Sequence, residues 1–225
     1  LAAKVRVGKV TSIDVFDEPR LNEDMKTFCR SVFFFLLLEV VGCVGPLVSH
    51  ETARTVGEGN SELLGGYGSA GLVINYDYGV GKDFDIGVHY ETLSFGIKAK
   101  YAFVNAREAG WSWALSGGLG TTYSGTYYNL DFIGSYLVNK WEPYGTFRFV
   151  HVRTDPVDVK DNSDTTSLFT ISSVQYDYGQ LIFGTRYWFT EHWLASLEIS
   201  SLFSLGPGIK PGSNVLAGGA FGYRF

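Results

Sequence analysis

From Ser61 to Phe225 the hydrophobic period of this 225-residue chain is two rather than 3.6, and no other feature narrows its fold as much. Leu93, Phe95, Ile97, Ala99, Tyr101 and Phe103 share one face, while Ser94, Gly96, Lys98, Lys100 and Ala102 share the other. Phe84, Ile86, Val88 and Tyr90 alternate in the same way with Asp85, Gly87, His89 and Glu91. Successive strand residues point to opposite sides of a sheet, so each set defines one surface. The pattern predicts strands at 61–68, 70–79, 84–92, 93–104, 111–121, 126–139, 144–154, 173–189, 192–204 and 214–225. That makes ten, with eight kept open because the first is short and glycine-rich. No amphipathic helix period occurs after Cys43.

The contents of the two faces decide which one points outward. In a soluble barrel the apolar face turns inward. Here the apolar face carries large aromatics strand after strand, more than a small barrel can enclose. The opposite face holds glycine, serine, alanine, asparagine and single charges. Small and polar residues inside with bulky apolar residues outside is the transmembrane arrangement. Strands of about ten residues suit a tilted bilayer crossing, and closure satisfies every backbone amide without water. The fold expected is therefore all-β, a transmembrane antiparallel up-and-down β-barrel. Charged residues make up only 18% and the net charge is −5, which excludes both a disordered chain and a nucleic-acid binder.

Connection lengths orient such a barrel. Short turns fall at 80–83, 105–110, 139–143 and 190–191, and long ones at 154–172 and 205–213. Outer-membrane barrels have short periplasmic turns and long extracellular loops, so both barrel termini are expected in the periplasm. Tyr101, Trp111, Trp113, Trp141, Tyr144, Tyr187, Trp188 and Trp193 gather beside the short turns and are expected to form an interfacial girdle.

The chain upstream of the barrel divides differently. Residues 1–24 precede the only methionine and are expected to be an unstructured upstream extension. From Met25, the basic Lys26 and Arg30, the apolar block Val32–Leu38 and the small or aliphatic Val40-Val41-Gly42 before Cys43 follow the order of a secretory signal peptide over 25–42. Val40-Val41-Gly42-Cys43 resembles a bacterial lipobox, in which cleavage falls between Gly42 and Cys43 and the thiol takes a diacylglycerol. Valine rather than leucine at the first position and Glu39 just upstream depart from that pattern. Residues 43–60 have little periodicity and are expected to be a tether. With a periplasmic barrel start, the acyl chains are expected in the inner leaflet.

The chain ends Phe221-Gly222-Tyr223-Arg224-Phe225. Phe221, Tyr223 and Phe225 in this spacing resemble the C-terminal insertion signal of bacterial outer-membrane barrels. Together with the export segment and the alternation, residues 25–225 resemble an outer-membrane β-barrel protein of a Gram-negative bacterium, as a lipoprotein. The run Ala53–Gly57 with the hairpin around Asp83 resembles uncharacterised lipoprotein-type barrels. The resemblance implies outer-membrane lipid, lipopolysaccharide and the barrel-insertion machinery as partners.

Strand parity places Asp77, Asp85, His89, Glu91, Lys98, Lys100, Asp131, Arg148, Arg186, Glu198 and Arg224 in the lumen. Mixed in sign, these can neutralise one another as a charge network filling a narrow barrel, and a narrow polar pore is the alternative. Asp155, Asp158, Asp161 and Asp164 form an acidic loop without calcium-loop spacing. His151 with Asp155 and Ser167 is the only arrangement suggesting a rim hydrolase, and no nucleophile motif supports it. No metal site, cofactor or catalytic residue is therefore expected, and the reading is a structural or binding scaffold with a largely plugged polar lumen. Cys43→Ser is expected to abolish labelling by a palmitate analogue while a heat-modifiable barrel stays in the membrane. Persistent labelling of that variant would refute the lipid site.

Overall fold

The computed structural model describes residues 45–69, 71–160, 167–206 and 215–225. The extension 1–24, the signal segment 25–42, Gly42 and Cys43 lie outside the described residues. Among the described residues twelve strands follow in chain order. They are β1 (Ser61–Gly68), β2 (Gly71–Gly81), β3 (Phe84–Glu91), β4 (Ser94–Val104), β5 (Gly110–Thr122) and β6 (Gly125–Leu137). Then come β7 (Trp141–Thr154), β8 (Val157–Lys160), β9 (Ser167–Ile171), β10 (Gln175–Trp188), β11 (Trp193–Ser204) and β12 (Val215–Arg224). Ten of them close an antiparallel barrel in which each strand pairs with its chain neighbour, β10 following β7. The seam pairs β1 with β12, from Glu62 opposite Arg224 to Gly68 opposite Gly218.

Two departures from the sequence pattern have local causes. The short hairpin β8–β9 lies within the long connection after β7, where a loop is expected; its register sets Val157 opposite Ile171 and Val159 opposite Phe169, pairs of good strand formers. Strand β7 starts at Trp141, three residues early, because Asn139 at φ 54° makes a tight turn closed by the Val138–Trp141 bridge. A proline argues against a strand interior, yet Pro143 holds a place in the ladder opposite Thr185. The early start brings Glu142 onto the inner face, fully buried.

The inner and outer faces are sharply different. Outward residues stand exposed along the strands, among them Ile97 (54%), Leu119 (60%), Phe183 (59%) and Leu197 (66%). A sheet that leaves such a continuous apolar surface uncovered needs an apolar solvent.

Inside the barrel lies the chain's own segment 45–57, where a tether is expected over 43–60. Val48, Ser49, His50, Glu51, Thr52, Ala53, Thr55 and Val56 are all buried. The segment enters among Tyr127, Val150 and Tyr178, near the long-loop ends of β6, β7 and β10. It leaves at the opposite end, where Gly57 (φ 91°) and Gly59 (φ 76°) reverse the chain into β1. Left-handed φ is accessible to glycine at no steric cost. Gly59 N donates to Gly79 O at 2.9 Å and Gly79 N donates to Asn60 O at 3.0 Å.

The apolar interior packs around this segment. Ala53 joins Ala102, Ala114 and Ile133 in one cluster, and Val48 packs with Val73. Leu64, Leu137, Trp188, Leu194 and Ala220 form another.

The turn at Gly57 predicts a position-specific cost. A Cβ on Gly79 would stand 1.9 Å from the Gly57 carbonyl oxygen, whereas one on Gly81 meets nothing within 4 Å. Gly79→Ala is expected to destabilise the refolded barrel by about 1–3 kcal/mol, read as a lower urea midpoint in detergent, with Gly81→Ala unchanged. Equal midpoints for the two variants would contradict the close approach.

Candidate functional site

A buried stretch of backbone without secondary structure must find partners for its amides among side chains. The barrel wall supplies them. Glu91, at the end of β3, accepts from Leu47 N at 3.0 Å and Val48 N at 2.7 Å. Glu198, midway along β11, accepts from Ser49 N at 2.9 Å, His50 N at 2.6 Å and the Tyr144 hydroxyl at 3.0 Å. Asp85 accepts from Val56 N at 3.1 Å.

The carbonyls are met by donors on other strands. Arg148 donates to Pro46 O at 3.2 Å, Gln180 to Leu47 O at 2.6 Å and Asn75 to Ser49 O at 3.0 Å. Arg186 donates to His50 O, and Lys100 to Thr52 O at 3.1 Å and Arg54 O at 3.0 Å. His50 has φ 48°, an uncommon conformation for a side chain-bearing residue. It is held by its backbone contacts and by its ring Nδ1, 3.1 Å from Ser196 Oγ.

The wall charges pair as a set. Arg148 grips Asp131 through Nε (2.9 Å to Oδ1) and Nη2 (2.8 Å to Oδ2), a planar two-point contact. Glu62 is shared by Arg186 at 2.8 Å and Arg224 at 2.6 Å across the seam. Lys98 reaches Asp77 at 3.0 Å and Lys100 reaches Asp85 at 3.3 Å, and both lie 3.5 Å from Glu51 of the inner segment. Arg54 of the segment meets Glu142 at 3.2 Å. Among the described residues, the six cations Arg54, Lys98, Lys100, Arg148, Arg186 and Arg224 thus contact the six carboxylates Glu51, Glu62, Asp77, Asp85, Asp131 and Glu142. Glu91 and Glu198 serve the segment's amides instead, with His89 3.0 Å from Glu91.

The eleven lumen charges named from parity all face this interior, and they are joined by five residues that strand reasoning did not select. Glu62 sits on the short first strand, Glu142 behind Pro143, and His50, Glu51 and Arg54 on the unpatterned segment. Parity carried through β1 and back past Pro143 in β7 would have found Glu62 and Glu142; no signal in the sequence marks the other three.

The girdle needs correction at two positions. Tyr144 and Trp188 are buried and face inward, Trp188 Nε1 donating to Glu142 at 3.3 Å with Arg224 stacked 4.5 Å over its ring. Trp188 shares the parity of Arg186, two residues away. Trp111, Trp141 and Trp193 are exposed. Phe221 and Phe225 are exposed too, while Tyr223 packs edge-on against Trp193 at 4.7 Å.

The rim reading of His151 also changes. Its Nδ1 lies 2.6 Å from Asp177 on β10, and its ring stacks on Tyr128 at 4.8 Å, so Asp177 takes the place expected for Asp155. Asp161 and Asp164 lie outside the described residues. Among the described residues no group of three or more His, Cys, Asp or Glu side chains could hold a metal.

Two spaces frame the network. A cavity of about 20 Å³, room for about one water, lies between the segment at Pro46 and Ser49 and the wall at His89, Ser116 and Arg148. A larger hollow of about 550 Å³ opens at the short-turn mouth against Arg54, Trp188 and Arg224.

No protein-family model matches the sequence, and no curated protein does. Among solved structures the chain is similar to the N-terminal β-barrel domain of Pseudomonas aeruginosa OprF, at 16% identity and a TM-score of 0.38, over 74% of this chain and 96% of that one. It is also similar to OprG, an outer membrane protein of Pseudomonas aeruginosa, at 11% identity and a TM-score of 0.33, over 78% and 99%. Ail, the attachment invasion locus protein of Yersinia pestis, aligns at 13% identity and a TM-score of 0.32, over 75% and 99%.

The Arg148–Asp131 pair makes the network testable. Arg148→Met strands a buried carboxylate and two backbone carbonyls, and is expected to cost about 3–5 kcal/mol, measured by urea titration of the refolded barrel. Adding Asp131→Leu is expected to restore the part due to the stranded carboxylate, leaving the cost of the two unmet carbonyls. A single variant as stable as the parent would show that the pair holds nothing.

Proposed function

We propose that this chain is a lipid-anchored outer-membrane β-barrel that acts as a structural or binding scaffold, its polar lumen closed by its own N-terminal segment. The observation that carries this reading is the inverted pattern of the barrel, apolar residues exposed outside and charges buried within. An exposed sheet face of Ile97, Leu119, Phe183 and Leu197 suits hydrocarbon and not water. Every connection at one end is short, and the two long ones, after β7 and after β11, lie at the other end, which favours a periplasmic position for the start of β1 and the end of β12. Cys43 is the proposed acylation site, following cleavage after Gly42. The partners are outer-membrane lipid and lipopolysaccharide around the wall, and the insertion machinery for the terminal Phe221, Tyr223 and Phe225.

Closure rests on occupancy. A ten-stranded barrel is little wider than the eight-stranded kind whose side chains fill it, and here a peptide segment shares the same space. Beside the segment, the inner cavity holds about 20 Å³, too little for a hydrated ion to pass. An ion on this route would have to displace Glu51 from Lys98 and Lys100, or the segment's amides from Glu198.

Planar-bilayer recording of the purified full-length protein tests this. The parent chain is expected to give no steady conductance. The double substitution Glu91→Ala and Glu198→Ala, which removes acceptors for four segment amides, is expected to produce intermittent openings. Sustained channel current through the unmodified protein would replace the closed scaffold with the narrow-pore reading.

A further inference from the structure

One lumen arginine differs from the others at the same atom. Arg148, Arg186 and Arg224 each donate through Nε, to Asp131 at 2.9 Å, to the His50 carbonyl at 3.2 Å and to Glu62 at 3.1 Å. The Nε of Arg54 is buried and has no hydrogen-bond partner among the described residues, although its side chain is only 10% exposed. Glu142 lies 3.2 Å away, off the N–H direction. Both oxygens of that carboxylate already accept elsewhere, Oε1 from the Ser135 hydroxyl and Oε2 from Trp188 Nε1, each at 3.3 Å. The wall therefore holds Glu142 in place without aligning it on Arg54. A buried donor left without an acceptor is costly, and a guanidinium is a planar fork built for a two-oxygen acceptor.

The ion pairs are also unevenly shared across the lumen. On the side lined by β7, β10, β12 and β1, the three guanidiniums of Arg54, Arg186 and Arg224 face the two carboxylates of Glu62 and Glu142. On the side lined by β2, β3 and β4, Lys98 and Lys100 face Glu51, Asp77 and Asp85. The hollow of about 550 Å³ opens on the cation-rich side, between Leu137 at the end of β6, Trp188 at the end of β10 and Arg224 at the end of β12. Small-molecule sites occupy about 300–1,000 Å³. Leu137, Trp188 and Phe189 give this one an apolar wall, while Lys140 and Glu191 at its rim offset each other in charge. Arg54 and Arg224 both stand against the Trp188 ring, at 5.7 and 4.5 Å from its centre.

We propose that this hollow binds a small monocarboxylate with an apolar body, the carboxylate taken by Arg54 and the body lying against Leu137, Trp188 and Phe189. One negative charge matches the one unmatched guanidinium, whereas a dianion such as a phosphate monoester would set a surplus charge beside Glu142 and Glu191. The site goes beyond the scaffold reading. It depends neither on Cys43 nor on which side of the membrane the short turns face, and channel current through the parent protein would leave it standing.

The test titrates phenylacetate into the purified full-length protein in detergent, followed by calorimetry and by tryptophan fluorescence. Phenylacetamide, the same shape without the charge, and phenyl phosphate, a dianion, are the comparison compounds. The parent is expected to bind phenylacetate saturably and at least about tenfold more tightly than phenylacetamide. The double variant Arg54→Met and Glu142→Gln, which strands neither charge, is expected to lose that preference. Trp188→Phe is expected to keep the heat of binding and lose the fluorescence change. A heat-modifiable band on gels shows that each variant is folded; where the double variant is not, the phenylacetamide comparison and Trp188→Phe decide. No saturable binding by the parent below about 10 mM, or equal binding of acid and amide, overturns the proposal. So does tighter binding of phenyl phosphate than of phenylacetate, an undiminished preference in the folded double variant, or a fluorescence change that survives in Trp188→Phe.

Discussion

The structure depends on how a peptide segment without secondary structure is accommodated inside a closed barrel. Its N–H and C=O groups are shut away from water, and an unmet one costs about as much as a lost hydrogen bond. The wall meets them with charge-bearing side chains, Glu91 and Glu198 for donors, Arg148, Arg186 and Lys100 for acceptors. Charged partners make stronger hydrogen bonds than neutral ones, about 1.5–3 kcal/mol each. The same side chains would be a liability in an empty lumen, since burying a lone charge is costly. Segment and wall are therefore each the condition for the other. Glu51 and Arg54 complete the exchange by neutralising Lys98, Lys100 and Glu142 from inside.

The seam shows how far this coupling extends. β1 and β12 come from opposite ends of the barrel sequence and must find each other across 162 residues at Glu62 and Arg224. Glu62 also takes Arg186, whose guanidinium holds the His50 carbonyl. The contact that closes the cylinder is one bond away from the contact that holds the segment. The outer face takes no part in this, which leaves it free to carry exposed apolar residues such as Ile97, Leu119, Phe183 and Leu197.

Much of this was legible in the sequence, for identifiable reasons. Alternation is a local property of a strand, so parity alone assigned Asp131 and Arg148, or Asp85 and Lys100, to the same interior. It did not say that Arg148 and Asp131 would make a two-point contact, because that depends on register between β6 and β7. Closeness to a turn is a weaker guide than parity: Trp188 and Tyr144 lie beside short turns but face inward, Trp188 with the parity of Arg186. Pro143, of a residue type that usually ends a strand, hides the inward parity of Glu142. The partner of His151 is not a nearby acid in sequence but Asp177, 26 residues away.

What the sequence determined by itself is what period two can encode: a run of antiparallel strands, an apolar face, a charged face and the turns that join them, while closure of the short β1 onto β12 fixed their number at ten. Residues 45–57 carry no period, and their meaning came only from the folded molecule. Ser49 and Glu198 meet across 149 positions and Pro46 and Arg148 across 102. Such contacts exist only once ten strands have closed, because closure creates the enclosed space, removes water from it and leaves the segment's backbone no partners except the wall. Tertiary structure thus decided what fills the lumen and which way it runs.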